Sequence, residues 1–259
     1  MRKSKLLARI RAGQVARVCS TGSPLAYYPA AAAHFGYDAV WVDAEHRAWD
    51  PREVRETILR HHHADIDCIF RPHLTERAAL ARCLEDGASA LMIPMVNTPE
   101  RARQLVEFTK FPPLGDRGLD GTALDGAFGV GRSPEYTQEA NRETALIVQI
   151  ETPQAVANVD AIATVEGVDL LFIGPGDLSL RLGCTASVND PALRKSIERV
   201  AAAAKNAGKP WGMPVGTIAD ARTVIDLGAQ LVSFGGEYGA VIKMLESCSA
   251  QWNEMMGAV

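Results

Sequence analysis

Eight short apolar runs of four to seven residues punctuate this chain, and a longer stretch with helical periodicity follows each of them. They fall at residues 15–20, 38–43, 67–71, 90–94, 145–151, 169–173, 210–213 and 231–235. Runs this short fit strands covered on both faces, so the alternation reads as repeated strand–helix units around a parallel sheet. Helix starts are legible as well. Asp50-Pro51 opens the segment after the second run and Thr98-Pro99-Glu100 the one after the fourth, since proline costs nothing in a first turn whose N–H groups have no partner. Glycine marks the ends, as in Asp86-Gly87-Ala88 and Leu227-Gly228-Ala229, where the chain turns directly into the next run. The number and regularity of the units predict a closed (β/α)8 barrel, the TIM-barrel fold, rather than an open sheet, as one domain over residues 1–259.

Composition agrees and removes several classes of function. A length of 259 residues with 47% hydrophobic content suffices for one such barrel and its core. The net charge of -4 gives no basic footprint, and no stripe of Lys and Arg interleaved with aromatics is present to track phosphates, so nucleic acid is not an expected partner. The N-terminal MRKSKLLARIRAGQ becomes charged again within a few residues, as a short amphipathic helix does and a secretory signal does not. No apolar stretch approaches the roughly 20 residues that span a bilayer. Five scattered cysteines without a CxxC pair indicate reduced thiols. These features together predict a cytoplasmic protein without membrane association.

In a barrel of this kind chemistry collects at the C-terminal strand ends, and polar residues are concentrated there. The second run delivers Asp43, Glu45 and His46; the third ends in Arg71; the fifth runs through Gln149 into Glu151; the sixth leads into Gly174-Pro175-Gly176-Asp177. Glu151 and Asp177 come from adjacent strands, and two neighbouring carboxylates repel unless they share a proton or a cation. A hard divalent ion such as Mg2+ or Mn2+ fits, as does a salt bridge to Arg71, and Asp177 also suits the start of a helix. Arg71 can clamp a carboxylate or stabilise an oxyanion, or simply neutralise Asp43 or Glu45. His46 fits a general base, a metal ligand or an ordinary loop histidine.

Three further segments stand out. His61-His62-His63 resembles a metal tract but reads as an exposed helix terminus, its side chains pointing in different directions. Phe234-Gly235-Gly236-Glu237 offers backbone amides for a phosphate, although Glu237 would compete with an anion. Residues 111–133 carry six glycines and no sustained apolar period, which suggests a lid or an interface arm.

Taken in order, Asp43-Ala44-Glu45-His46, Phe70-Arg71-Pro72, residues 91–96, Phe111-Pro112-Pro113 with Arg117-Gly118, Gln149-Ile150-Glu151-Thr152 and residues 172–179 resemble the class II pyruvate aldolases of the HpcH/HpaI family over nearly the whole chain. The resemblance implies that Glu151 and Asp177 hold a divalent metal (Mg2+, Mn2+ or Co2+) and that Arg71 stabilises an enolate oxygen. It further implies that His46 moves the proton with Asp43 hydrogen-bonded to it or to a shared water, and that Gln149, Gly174, Pro175 and Gly176 position substrate. Glu85, where the family usually has Asp, would reach the site from a neighbouring subunit. Family members assemble as homohexamers with an exchanged C-terminal helix, and residues 238–256 are apolar enough for that role. The implied reaction is reversible cleavage of a 4-hydroxy-2-oxo acid, of the 2-keto-3-deoxy sugar acid type, to pyruvate and an aldehyde. No lysine stands at a strand end to form an imine. The rivals are an acyl-CoA lyase of the citrate or malyl type and a barrel that binds a metal and a keto acid without turnover.

Overall fold

The structure, a computed structural model, describes residues 1–130 and 132–257. Its strands are β1 (Ala16–Thr21), β2 (Ala39–Asp43), β3 (Asp67–Arg71), β4 (Ala90–Ile93), β5 (Ala145–Ile150), β6 (Leu170–Ile173), β7 (Trp211–Pro214) and β8 (Leu231–Gly236), each within one residue of an apolar run. They pair in parallel in chain order, and β8 closes onto β1. The helices are α1 (Lys5–Arg11), α2 (Tyr28–His34), α3 (Pro51–His63), α4 (Arg77–Glu85), α5 (Pro99–Thr109), α6 (Tyr136–Glu143), α7 (Pro153–Ala157), α8 (Val159–Ala163), α9 (Pro175–Leu182), α10 (Pro191–Asn206), α11 (Ile218–Asp226) and α12 (Glu237–Met256). The expected caps are in place: Asp50 and Glu53 form a reciprocal capping box at α3, and the Thr98 hydroxyl accepts the Arg101 N–H at α5.

Side chains of a strand alternate between its two faces, so each strand feeds two cores. Ala39, Ile69, Met92, Ile147, Phe172 and Leu231 fill the barrel interior, while Val40, Val42, Leu91, Val148 and Leu171 pack outward under the helices. Helix α1 plugs the N-terminal end with Leu6 and Leu7. Its anchor is the fully buried Asp67, which accepts the Leu6 N–H at 2.8 Å and the Ser4 hydroxyl and pairs with Arg2. A buried carboxylate with this many donors replaces its lost hydration.

Two expectations change here. The histidine tract is not simply an exposed terminus: His63 is exposed, but His61 is 1% exposed and its Nδ1–H donates to the Thr57 carbonyl at 2.8 Å. Residue 61 falls on the apolar side of an amphipathic helix, so the fold buries it whatever its polarity. The glycine-rich segment 111–133, of which Gly131 lies outside the described residues, packs at the helix-to-strand end of the barrel, where the Asp125 N–H bonds the Glu85 carbonyl at 3.3 Å. A lid over this chain's own strand ends is therefore ruled out for it.

The last helix also departs from a simple barrel. No residue of α12 is buried, and Tyr238, Met244, Leu245, Trp252 and Met255 are all more than half exposed. A groove lies where an eighth helix would cover the sheet, with a cavity of about 630 Å³ bounded by Phe35, Tyr37, Ile218, Ile225, Val232 and Phe234. No helix among the described residues is long and apolar enough to cross a membrane.

His61 predicts an acid-sensitive fold. Burial pushes its imidazole down from the usual 6.5 to about 4. The unfolded chain therefore binds the proton first, and stability that is complete above about pH 6.5 declines as the pH falls toward 4, by up to about 3 kcal/mol for this one group. Thermal melts at pH 7.5 and pH 5 will show a smaller difference in Tm for His61→Leu than for the parent protein; an equal difference would remove His61 as the cause.

Candidate active site

The strand period places the polar residues. Counting inward positions along β2 gives Ala39, Trp41 and Asp43; along β3, Asp67, Ile69 and Arg71; along β5 and the residue after it, Ile147, Gln149 and Glu151. Asp43 and Arg71 face each other in the β2–β3 register. Arg71, 7% exposed, bonds Asp43 through two nitrogens, Nε to Oδ1 and Nη2 to Oδ2, both at 2.9 Å. Its Nη1 reaches Glu45 at 2.8 Å and Gln149 Oε1 at 3.3 Å, and its guanidinium lies 4.8 Å over the Trp41 ring. Burial works against the Asp43 charge, yet the bonds from Arg71 hold its carboxyl below the usual range.

His46 sits at the opening with 56% of its side chain exposed, and its Nε2 is 3.6 Å from Glu45. Asp43 makes no direct side-chain bond to His46; its oxygens accept from Arg71, and Oδ1 also accepts the Glu45 N–H at 3.0 Å. A small cavity of about 180 Å³ adjoins this cluster and is lined by Ser20, Thr21, Trp41, Asp43, Arg47 and Glu237 among others. Glu237 itself accepts from the Gly22 N–H and the Ser23 hydroxyl. Its carboxylate thus ties the start of α12 to the turn after β1.

Across the opening, Glu151 is 2% exposed, and its Oε1 accepts the Met95 N–H at 2.7 Å. Met95 presents that amide from a left-handed backbone with φ of 56°, a conformation a β-carbon disfavours. A β-carbon on Gly174, the next inward step of β6, would run into the Glu151 carboxylate and stand 2.8 Å from its Cβ, so glycine is required there for the acid to lie flat. Burial pushes the Glu151 carboxyl upward; the Met95 amide opposes this, and the negative charges of Glu45 and Asp177 add to it.

Asp177 lies in the first turn of α9, whose N-cap is Gly174 rather than the acid itself, and it pairs with Arg181 one turn on. Among the described residues no side chain caps α9, so its first-turn amides beyond Pro175 have no side-chain partner. Among the described residues no three His, Cys, Asp or Glu side chains converge as a ready-made metal cage. Glu85 ends α4 at the far end of the barrel, near Arg82, Arg117 and Asp125, and its carboxyl is raised by burial. Within one chain it does not meet the others. Trp41, Met95 and Arg181 belong to the site without having been singled out in the sequence. The inward parity of Trp41 with Asp43 was a usable signal; nothing local announces Met95.

The sequence pattern described as HpcH/HpaI aldolase/citrate lyase matches residues 23–243. A 5-keto-4-deoxy-D-glucarate aldolase of Klebsiella pneumoniae is 34% identical over 204 residues, 79% of each chain. A 2-keto-3-deoxy-L-rhamnonate aldolase of Salmonella paratyphi B is 34% identical over 233 residues, covering 90% of this chain and 87% of the relative. Among solved structures, an HpcH/HpaI aldolase from Desulfitobacterium hafniense superposes with a TM-score of 0.87 at 29% identity, over 95% of this chain and 96% of that one. With a family match over most of its length and relatives 34% identical across the barrel, this chain belongs to the HpcH/HpaI aldolase/citrate lyase family.

Proposed function

We propose that this carbon–carbon lyase is a divalent-metal-dependent aldolase that reversibly cleaves a 4-hydroxy-2-oxo acid of the 2-keto-3-deoxy sugar acid type to pyruvate and an aldehyde. The observation that carries the metal is Glu151, a buried acid with no arginine, lysine or histidine on it among the described residues and with two further carboxylates raising its proton affinity. The direct ion pairs around the opening set Arg71 against Asp43 and Glu45, and Arg181 against Asp177, leaving an excess of carboxylate that a divalent cation cancels. Glu151 and Asp177 suit Mg2+, Mn2+ or Co2+, since such ions need only one or two protein carboxylates and retain waters that a substrate replaces. When bound, the ion supplies Lewis-acid polarisation of the oxo acid's carboxylate and keto oxygens.

The chain's own groups then have separable tasks. The α9 amides beyond Gly174 and Pro175, from Gly176 onward, receive the substrate carboxylate at a helix N-terminus. His46, steered by Glu45, takes the proton of the 4-hydroxyl. As the C3–C4 bond breaks, its electron pair passes into the enolate of pyruvate, whose oxygen Arg71 stabilises. The 3.3 Å contact from Nη1 to Gln149 is the longest bond Arg71 makes and the one the oxyanion takes over. Asp43 keeps the guanidinium aimed. Return of a proton to C3 gives pyruvate. Glu85, remote from its own site, belongs to the opening of a neighbouring subunit.

Assembly fits the same reading. The apolar groove on the barrel wall and the unpacked α12 are complementary in character, and exchange of α12 between subunits, in a homohexamer as in the family, covers both.

Protein stripped with EDTA and supplied with a panel of 4-hydroxy-2-oxo acids will release pyruvate only after Mg2+, Mn2+ or Co2+ is restored. Glu151→Gln, Arg71→Met and Gly174→Ala will each lower the rate by about a hundredfold or more, the order typical of one lost charge-stabilising group. Pyruvate release that ignores chelation, or full activity in Glu151→Gln, overturns the metal reading; turnover of acyl-CoA thioesters alone moves the enzyme to the citrate-lyase chemistry. Light scattering will show an oligomer for the full chain and a smaller species for a chain ending at Gly236, whereas a monomeric full chain contradicts the helix exchange.

A further inference from the structure

Arg181 stands one helical turn after Asp177 on α9, and its guanidinium bonds Asp177 and reaches the side chain of Met95, the residue whose backbone holds Glu151. Nη1 donates to Asp177 Oδ1 and, at 3.0 Å, to the Asp177 carbonyl. Nη2 lies 3.8 Å from the sulfur of Met95, the residue whose N–H holds Glu151. Both members of the ion pair are part exposed, with 39% of the Asp177 side chain and 34% of Arg181 accessible. An exposed pair one turn apart contributes little to folding and is screened by salt, so this contact is poorly explained as a stabilising one. It is better explained by its location, since it places a fixed positive charge on the one carboxylate of the pair that faces solvent.

We propose that Arg181 is an internal competitor for the cation site, a positioning residue that neutralises Asp177 while the site is metal-free and must release it when a divalent ion enters. This inference rests on the reading of Glu151 and Asp177 as the metal ligands. An Asp177 oxygen that accepts from a guanidinium has a lone pair committed and a like charge beside the incoming ion; the ion must displace the first and overcome the second. Arg181 can yield because its long stem reaches solvent once the bond is broken. Its planar fork is what lets one side chain touch the carboxylate, the carbonyl and the Met95 sulfur together, a geometry lysine does not reproduce. Arg181 therefore sets how tightly the site holds its ion, weakening affinity while keeping the Asp177 side chain in place.

The test is direct binding of Mn2+ to the metal-stripped full chain, read by the electron paramagnetic resonance of free Mn2+ and by calorimetry, without turnover. Arg181→Gln is expected to bind Mn2+ about tenfold more tightly than the parent, with Arg181→Lys intermediate, because removing a neighbouring like charge favours the ion. The advantage of Arg181→Gln will shrink at 0.5 M ionic strength, a condition at which charges more than about 4 Å apart are largely screened. The metal-free melting temperature will not change. Affinity equal to or weaker than the parent's in both variants, with folding intact by circular dichroism, overturns the role given to Arg181. Absence of saturable Mn2+ binding in the parent, or binding undiminished in Glu151→Gln, instead overturns the metal reading beneath it.

Discussion

The Asp43–Arg71 ion pair is a ladder contact. The two residues are register partners of β2 and β3, both on the inward face, and their two parallel bonds form because closing the barrel leaves them nowhere else to point. Removing Asp43 leaves the buried Arg71 guanidinium without the partner that takes two of its nitrogens. The remaining geometry of this half of the site follows from it: Glu45 and Gln149 share the third guanidinium nitrogen, Trp41 underlies the plane, and Glu45 in turn lies beside His46.

The opposite half is built on different terms. Where Asp43 is held below its ordinary range by a cation, Glu151 is pushed above its own by burial and by neighbouring acids, with a single backbone amide in support. That amide comes from Met95 in a left-handed conformation costing roughly 1–3 kcal/mol, and the carboxylate lies over a glycine that admits no β-carbon. Strain and a carboxylate without a cationic partner are thus gathered at one edge of the opening, while at the other edge Arg71 ties Asp43 and Glu45 together.

Stability is supplied away from this chemistry. At the N-terminal end α1 closes the barrel through Asp67, and the outer shell of aliphatic side chains is continuous under the helices. The wall beside β8 is the exception, an apolar groove left open while α12 carries its own apolar residues into solvent. The helix-to-strand end carries Glu85 and the glycine-rich segment, joined by the bond from the Asp125 N–H to the Glu85 carbonyl.

By itself the sequence determined the barrel, because eight apolar runs of strand length in regular alternation with capped helices admit little else, and the runs fall within one residue of the strands. It also brought Asp43, Arg71, Gln149, Glu151 and Asp177 to one rim, since a strand's end and parity are local properties. Only the tertiary structure decided which charges pair. The sequence allowed Arg71 to neutralise either Glu151 or Asp43, and the β2–β3 register, a property of two strands together, chose Asp43. The seat of Glu237 on the Gly22 turn, the Met95 amide and the approach of Arg181 to Met95 were likewise hidden, because each depends on residues far apart in the chain or on backbone angles that no local pattern specifies.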